Sequence, residues 1–124
     1  MILGIGIDMI EVERIKKMAI KNPRFLKRIF TPKEIDYSLK KINRHQHLAA
    51  RFAAKEAFFK AIGKRISWTE VELSNLPSGK PQLKIKSRKQ SSFNEAHVSI
   101  SHLAGYALAM VILEGNEKRS ISPR

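Results

Sequence analysis

The chain of 124 residues contains no cysteine. This absence excludes a disulfide framework and a thiolate metal site, and it fits a cytosolic protein. Apolar runs are also short, and none approaches the roughly 18 residues that a membrane-spanning helix needs. The first residues carry no basic leader and lead directly into strand-like sequence. We therefore expect no signal peptide, no membrane span and a cytoplasmic location.

Aromatic residues are scarce, at 7%, and acidic residues are few, at 11 against 24 Lys and Arg, which gives a net charge of +13. Between Arg14 and Arg44, eleven basic residues stand with two acidic ones, so this segment carries +9 of that charge. Such a concentration favours an anionic partner: nucleic acid, an anionic membrane surface, a phosphorylated small molecule or an acidic protein. A nucleic-acid-binding module needs aromatic residues interleaved with the basic ones, so this alternative rests on charge alone.

The length bounds the chain to one domain with a single core, and the mixture of patterns predicts an α+β fold. Alternation predicts strands over residues 2–8, 68–73, 81–86, 97–102 and 105–113. Helices are predicted to begin near residue 11, near 25, at a capping box of Thr31 and Glu34, and near 46, the last two ending near 42 and 62. We expect a domain over residues 1–114 and a loose basic tail over 115–124.

The helix predicted over residues 46–62 is the most informative stretch, filled with good helix formers and ended by Gly63. Large apolar side chains cover one of its faces, and six alanines cover the opposite one. A helix with two apolar faces belongs in the middle of a fold. Its charged residues Lys55, Glu56 and Lys60 must therefore find partners.

Two carboxylates stand where apolar residues are expected. Asp8 closes an apolar strand whose Gly4 and Gly6 permit close approach by another backbone, and Glu56 lies on the central helix. Such a pair suits Mg²⁺, which takes one or two carboxylates and fills its other positions with water and substrate phosphate. The structural alternatives are that Asp8 caps the next helix and that Glu56 pairs with Lys60.

Three other features leave alternatives open. The segment Gly79-Lys80-Pro81 predicts a turn first and a phosphate contact second. His97 and His102 lie on opposite faces of one predicted strand, so they cannot share a metal from it, and either is a structural histidine unless His102 meets a substrate oxygen. The strand over residues 105–113 is apolar on both faces, so it needs a second cover, for which a neighbouring subunit is the simplest candidate.

Taken in order, residues 4–8 (GIGID), 51–63 (RFAAKEAFFKAIG), 79–81 (GKP) and 97–102 (HVSISH) resemble the holo-[acyl-carrier-protein] synthases, the short trimeric branch of the 4′-phosphopantetheinyl transferases. The resemblance implies an antiparallel sheet packed on helices and a homotrimer with active sites at subunit interfaces. It also implies transfer of the 4′-phosphopantetheine group of coenzyme A to a serine of apo acyl carrier protein. Adenosine 3′,5′-bisphosphate would be released, and the reaction would support fatty acid biosynthesis.

The same resemblance implies roles for individual residues. Asp8 and Glu56 would bind Mg²⁺ on the pyrophosphate, and Lys60 would complete the catalytic set. Contacts to coenzyme A would come from Arg51, Lys55, Lys60, Lys64, Gly79, Lys80, Pro81 and His102. The carrier protein would dock on Arg14, Met18, Arg24, Phe25 and Arg28. The chain departs from its relatives in a short loop over residues 64–67 and in its basic tail, and we expect neither nucleic acid nor a membrane as partner.

Overall fold

The computed structural model describes residues 1–86 and 92–116 and shows the predicted α+β architecture. The helices are α1 (Val12–Lys21), α2 (Pro23–Ile29), α3 (Pro32–Leu39), α4 (Arg44–Ile62) and a 3₁₀ turn (Trp68–Glu70). The strands are β1 (Ile2–Glu11), β2 (Val71–Asn75), β3 (Pro81–Ile85), β4 (Glu95–His102) and β5 (Tyr106–Glu114). They form two antiparallel sheets, ordered β1-β5-β4 and β2-β3. Of the predicted tail, residues 117–124 lie outside the described residues.

The central position predicted for α4 is confirmed, because its alanine face and its face of large apolar side chains are both mostly buried, with Phe52, Ala61 and Ile62 partly so. Strand β1 crosses α4 at two glycines. A Cβ atom at Gly6 would lie 1.8 Å from the carbonyl oxygen of Ala57, and one at Gly4 would lie 2.2 Å from that of Ala61. Since any side chain would clash there, the two glycines fix how closely β1 approaches α4. The helix ends at Gly63, which has a φ of 76°.

Several predicted boundaries were wrong, including the start of β4, which begins at Glu95 rather than at residue 97. Helix α3 ends at Leu39 rather than near residue 42, and β1 continues three residues past Asp8 because residues 8–11 pair with β5. Trp68 begins a 3₁₀ turn rather than a strand. Its ring lies 5.1 Å from those of both Phe52 and Phe59 on α4, and these ring contacts hold the segment against α4, so β2 begins only at Val71. Among the described residues, every helix is too short or too polar to span a bilayer.

A buried polar network joins α3, α4 and β2. The capping box is present as predicted, with the Glu34 backbone N–H donating to Thr31 Oγ1 and the Thr31 N–H donating to Glu34 Oε1. Glu34 Oε2 also accepts from the backbone N–H of Leu73, and Thr31 Oγ1 donates to Glu72. Lys55 Nζ lies 2.8 Å from Glu34 Oε1. Each buried charge therefore has partners, which burial requires.

The outer face of the three-stranded sheet is apolar and open. From Gly4 to Ile10 the even-numbered residues of β1 face inward, whereas Ile5, Ile7 and Met9 point outward and are 53–64% exposed. Next to them on β5, Met110 pairs with Ile7 and Leu108 pairs with Met9. The predicted second apolar face of β5 is thus present and continues onto β1. A contiguous exposed apolar surface of this kind marks an interaction site.

Candidate active site

Asp8 and Glu56 lie close together because the glycine contact presses β1 onto α4 immediately beside them. Both side chains are mostly buried, at 17% and 16% exposed. Burial raises the pKa of Asp8, Lys60 opposes that effect, and the nearby charge of Glu56 adds to it. Burial and the neighbouring charge therefore both disfavour two ionised carboxylates here unless cations lie close to them. Two carboxylates in such a place fit the oxygen ligands that Mg²⁺ prefers.

Each of these carboxylates is paired with a basic side chain. Lys60 Nζ lies 3.2 Å from Asp8 Oδ1 and also donates to the carbonyl oxygen of Ile7 at 3.0 Å. Arg65 contacts both oxygens of Glu56, with distances of 3.1 and 3.2 Å. Neither structural alternative holds, because Asp8 lies inside β1 rather than at a helix cap, and Glu56 pairs with Arg65 rather than with Lys60.

Arg65 is the residue of this cluster that the sequence analysis missed. It belongs to the short loop after α4, nine residues beyond Glu56, so helical spacing does not connect the two. Its guanidinium also lies 5.5 Å from the ring centres of Phe59 and Trp68. The only signal for this pair in the sequence was the position of Arg65, a basic residue just after a helix that carries the isolated acid Glu56.

Lys55 is not available to a ligand in this structure, contrary to its predicted contact with coenzyme A. Its side chain is 0% exposed, and besides Glu34 it donates to the carbonyl oxygens of Ile29 and Trp68. Burial lowers the pKa of Lys55, and the carboxylate of Glu34 opposes that shift. Three oxygens surround Nζ, so Lys55 ties α4 to the end of α2, to α3 and to the 3₁₀ turn.

Arg51, also predicted to contact coenzyme A, is likewise buried. Its guanidinium packs 4.3 Å from the ring centre of Tyr37 and donates to Asn75 Oδ1 at 2.9 Å. The Asn75 side chain in turn donates to the carbonyl oxygen of Gly79 at 3.0 Å. Arg51 thereby reaches the Gly79 turn through Asn75 rather than by presenting its own charge at the surface.

The turn predicted at residues 77–80 is present and is closed by two backbone hydrogen bonds, from the Leu76 N–H to the Lys80 carbonyl oxygen and from the Gly79 N–H to the Leu76 carbonyl oxygen. Gly79 has a φ of 93°, which only glycine adopts without strain. Lys80 is exposed, and Pro81 opens β3. Lys64 is exposed in the loop after α4. These lysines are open to solvent, so either can approach an anionic ligand.

The two histidines of β4 face opposite ways, as predicted. The ring of His102 lies 5.7 Å from that of His47, which also meets Tyr37 at 5.6 Å. Burial lowers the pKa of His47, and the charges of Arg51 and His102 add to that shift. His97 instead lies with Glu95 and Glu114 at the exposed end of the sheet, 2.9 Å from Glu114 Oε1.

The site residues therefore form two clusters on different faces of α4. One contains Asp8, Glu56, Lys60 and Arg65, and the other contains Tyr37, His47, Arg51, Asn75, Gly79 and His102. Arg51 and Glu56 are five residues apart, which places them about 140° apart around the helix and about 7.5 Å apart along it. The two clusters of one protomer therefore point in different directions and do not face a single ligand.

The basic segment forms a groove between α1 and α2. It is about 440 Å³ in volume and is lined by Arg14, Lys17, Met18, Lys21, Asn22 and Phe25. Met18 is exposed on it, whereas Phe25 is buried and packs edge-on against Phe30, so Phe25 forms the groove floor rather than a protruding anchor. Arg24 and Arg28, also predicted to dock the carrier, lie on α2 and do not line the groove.

This arrangement belongs to a known class of transferases. The family model for the 4′-phosphopantetheinyl transferase superfamily matches residues 4–111. The match contains both carboxylates and both clusters, and it covers well over half of the chain. The chain belongs to this superfamily.

Within the superfamily, the similar proteins are holo-[acyl-carrier-protein] synthases. The one from Geobacter sp. (strain M21) is 44% identical over 124 aligned positions, which cover 92% of this chain and 99% of the relative. The crystal structure of the Bacillus anthracis enzyme, in complex with CoA (3′,5′-ADP), is 40% identical, covers 94% of this chain and 99% of its own, and has a TM-score of 0.80. The Helicobacter pylori enzyme in complex with coenzyme A is 32% identical, with coverages of 89% and 99% and a TM-score of 0.77.

Proposed function

We propose that this chain transfers the 4′-phosphopantetheine group of coenzyme A to a serine of apo acyl carrier protein. Adenosine 3′,5′-bisphosphate is released, and the product carrier serves fatty acid biosynthesis in the cytoplasm. The observation that carries the proposal is the mostly buried Asp8–Glu56 pair, held together by the glycine contact of β1 with α4. The relatives crystallised with coenzyme A or its nucleotide support coenzyme A as the donor.

Asp8 and Glu56 would hold Mg²⁺, which neutralises charge that develops on a pyrophosphate during phosphoryl transfer. Their donor set fits the ion, because both offer hard carboxylate oxygens and they lie near enough for the charge of Glu56 to add to the raised pKa of Asp8. Lys60 stands at the edge of this pair and is 55% exposed. Its ammonium group can meet a phosphate oxygen while it still donates to the carbonyl of Ile7.

The remaining contacts to coenzyme A come from the second cluster and from the loops. Lys64 and Lys80 are exposed cations for the phosphates of coenzyme A, and His102 presents a ring nitrogen at the end of β4. Gly79 and Pro81 shape the turn that carries Lys80. We assign Arg51 to positioning that turn and Lys55 to positioning α4, because both side chains are buried among protein partners.

A homotrimer with shared active sites accounts for two observations. The apolar face formed by β1 and β5 lacks cover within the part of the chain that the structure describes. The two clusters also point away from different faces of α4, so two neighbouring protomers can complete one site where a single protomer does not. Burial of the exposed face supplies the driving force for association.

The groove of α1 and α2 is the proposed docking surface for the acyl carrier protein. Its basic rim with Arg14 and its exposed Met18 match the pattern of charged rim and apolar anchor that protein interfaces use. Arg24 and Arg28 extend the positive charge along α2. The acidic partner would be steered to this surface by long-range attraction.

The direct test is to incubate the protein with coenzyme A, Mg²⁺ and an apo carrier and to weigh the carrier by mass spectrometry. We expect a mass gain equal to one phosphopantetheine group, lost on addition of EDTA and lost with a carrier whose modified serine is alanine. A basic nucleic-acid-binding module would instead leave the carrier mass unchanged and bind oligonucleotides in a salt-sensitive way without Mg²⁺.

A further inference from the structure

The contact between Arg65 and Glu56 occupies the side chain that we assign to the metal. Both guanidinium NH groups contact Glu56, one to each carboxylate oxygen. The Arg65 side chain is 64% exposed, but its guanidinium also lies over the rings of Phe59 and Trp68. These rings give the loop residue a defined position in front of a mostly buried carboxylate.

A two-pronged contact of this kind competes directly with a divalent cation. The oxygens of Glu56 that would face the ion already accept charge-assisted hydrogen bonds, and an arginine that stayed in place would repel the ion at short range. The contact of Lys60 with Asp8 hinders metal binding less. Lys60 makes one contact to the carboxylate and keeps the carbonyl oxygen of Ile7 as a partner. Arg65 is thus the larger obstacle to metal entry.

We propose that Arg65 makes cation binding at Glu56 depend on the pyrophosphate substrate. In the free protein Arg65 satisfies Glu56 and disfavours the metal alone. A pyrophosphate offers the guanidinium a second anionic partner with the same two-pronged geometry, so Arg65 changes partner as the metal arrives with coenzyme A. The inference rests on the proposed function, because it takes Glu56 as a metal ligand.

The test measures binding of Mn²⁺ alone by the electron paramagnetic resonance signal of the free ion, followed by the same titration at saturating coenzyme A. We expect Arg65→Gln to bind Mn²⁺ alone about fivefold or more tightly than the wild type. The matched control is Arg44→Gln, the same substitution about 18 Å away at the start of α4, which should change Mn²⁺ affinity less than twofold.

The second quantity is the coupling, the ratio of Mn²⁺ dissociation constants without and with coenzyme A. We expect coenzyme A to tighten Mn²⁺ binding in the wild type, and we expect this ratio to fall by about fivefold in Arg65→Gln. Unchanged Mn²⁺ affinity in Arg65→Gln would overturn the inference. Equal tightening with and without coenzyme A would also overturn it, because Arg65 would then only repel the ion.

Glu56→Gln separates this inference from the proposed function on which it rests. Loss of Mn²⁺ binding in Glu56→Gln, together with wild-type behaviour of Arg65→Gln, would reject the role of Arg65 and leave the metal assignment standing. Wild-type Mn²⁺ binding by Glu56→Gln would reject both. A thermal melt of each variant, monitored by circular dichroism, confirms that the folded protein is being titrated.

Discussion

We assign the metal-dependent chemistry to Asp8 and Glu56, and Glu56→Gln tests this assignment with almost no change in shape. The amide removes the charge that would hold the proposed metal, while the side chain keeps its volume. We expect turnover to fall by about 100-fold or more, because a metal ion contributes several kcal/mol to transition-state stabilisation. Steady-state kinetics over a Mg²⁺ series measures the change, and near-normal turnover with normal Mg²⁺ dependence would make Glu56 merely a partner of Arg65.

Asp8 should weaken the metal-free fold, because the raised pKa means that its ionised form is less favourable in the folded chain than in the unfolded one. Protonation of Asp8 stabilises the folded chain relative to the unfolded one. This stabilisation is fully present below about pH 4 and is lost as the pH rises through the raised pKa of Asp8. At pH 7 we therefore expect Asp8→Asn to be more stable than the wild type by about 0.5–1 kcal/mol while losing activity. The gain should disappear at low pH.

Urea unfolding of the two proteins with EDTA, at pH 7 and at pH 3.5, measures this difference. A less stable Asp8→Asn at pH 7 would mean that the ion pair with Lys60 outweighs burial. The control is Asp36→Asn on α3, whose partner Lys40 lies just after the end of that helix and is exposed. Exposed pairs contribute little, so this change should move stability by less than about 1 kcal/mol.

Several of these residues could be found from the sequence, and Arg65 could not. Asp8 and Glu56 stood out because a carboxylate in an apolar strand or on a doubly apolar helix requires a reason. The same argument said that Lys55 must find partners, but a periodic pattern does not name them. Lys55 turned inward to Glu34, and Arg65 reached Glu56, because the paths of the connecting segments decide which charges meet.

Helix α4 is held by the buried pair of Lys55 with Glu34, so Lys55→Met should act on the fold rather than on substrate binding. The substitution leaves the Glu34 charge in the interior without its partner, which costs about 3–5 kcal/mol. Lys40→Met removes one member of the exposed pair with Asp36 and should cost less than about 1 kcal/mol. Urea unfolding compares them. A normal midpoint with a raised KM for coenzyme A in Lys55→Met would instead show that Lys55 reaches the substrate.

A charge reversal on helix α1 tests the proposed docking surface for the carrier protein. Arg14→Glu reverses one charge on the rim of the groove, so we expect the KM for carrier protein to rise about tenfold or more while the KM for coenzyme A stays within twofold. The salt dependence of the reaction should weaken as well, because steering is screened over about 8 Å at physiological ionic strength. Lys84→Glu on β3 is the matched control and should leave the KM for carrier unchanged. Equal effects on both substrates would make α1 an ordinary charged surface.

The sequence predicted the ends of helices and turns correctly where residues near in sequence determine them. The capping box at Thr31, the glycine end of α4 and the turn before Lys80 were confirmed, since each depends on residues near in sequence. The 3₁₀ turn at Trp68 was not predicted. There, alternation favoured a strand, but packing of the indole on α4 overrode it.

The whole molecule presents an apolar sheet face that the sequence indicated only in part. The doubly apolar β5 was visible in the sequence, and the contribution of β1 followed once the glycines were seen to turn Ile5, Ile7 and Met9 outward. Neighbouring protomers of the proposed trimer would cover this face. The test of the proposed trimer must measure both the association of protomers and the sharing of active sites between them.

Met110→Glu places a charge in the middle of this face, opposite Ile7, and burying it unpaired would cost several kcal/mol. We expect light scattering after size-exclusion chromatography to show a trimer for the wild type and monomers with little activity for the variant. Ile42→Glu, in the exposed loop between α3 and α4, is the control and should remain trimeric. A wild-type monomer at micromolar concentration would reject the assembly.

Sharing of sites is tested by mixing two inactive variants that damage different clusters. If one protomer supplies Asp8 and its neighbour supplies Lys80, then Asp8→Asn and Lys80→Ala trimers, unfolded and refolded together, form some interfaces in which both damaged residues fall in the same site. The opposite interfaces in those mixed trimers are intact, so activity should return to a substantial fraction of the wild type. If each protomer holds a complete site, every site in the mixture carries one lesion. Activity would then stay at the level of the separate variants, and the two clusters would have to be joined within one chain.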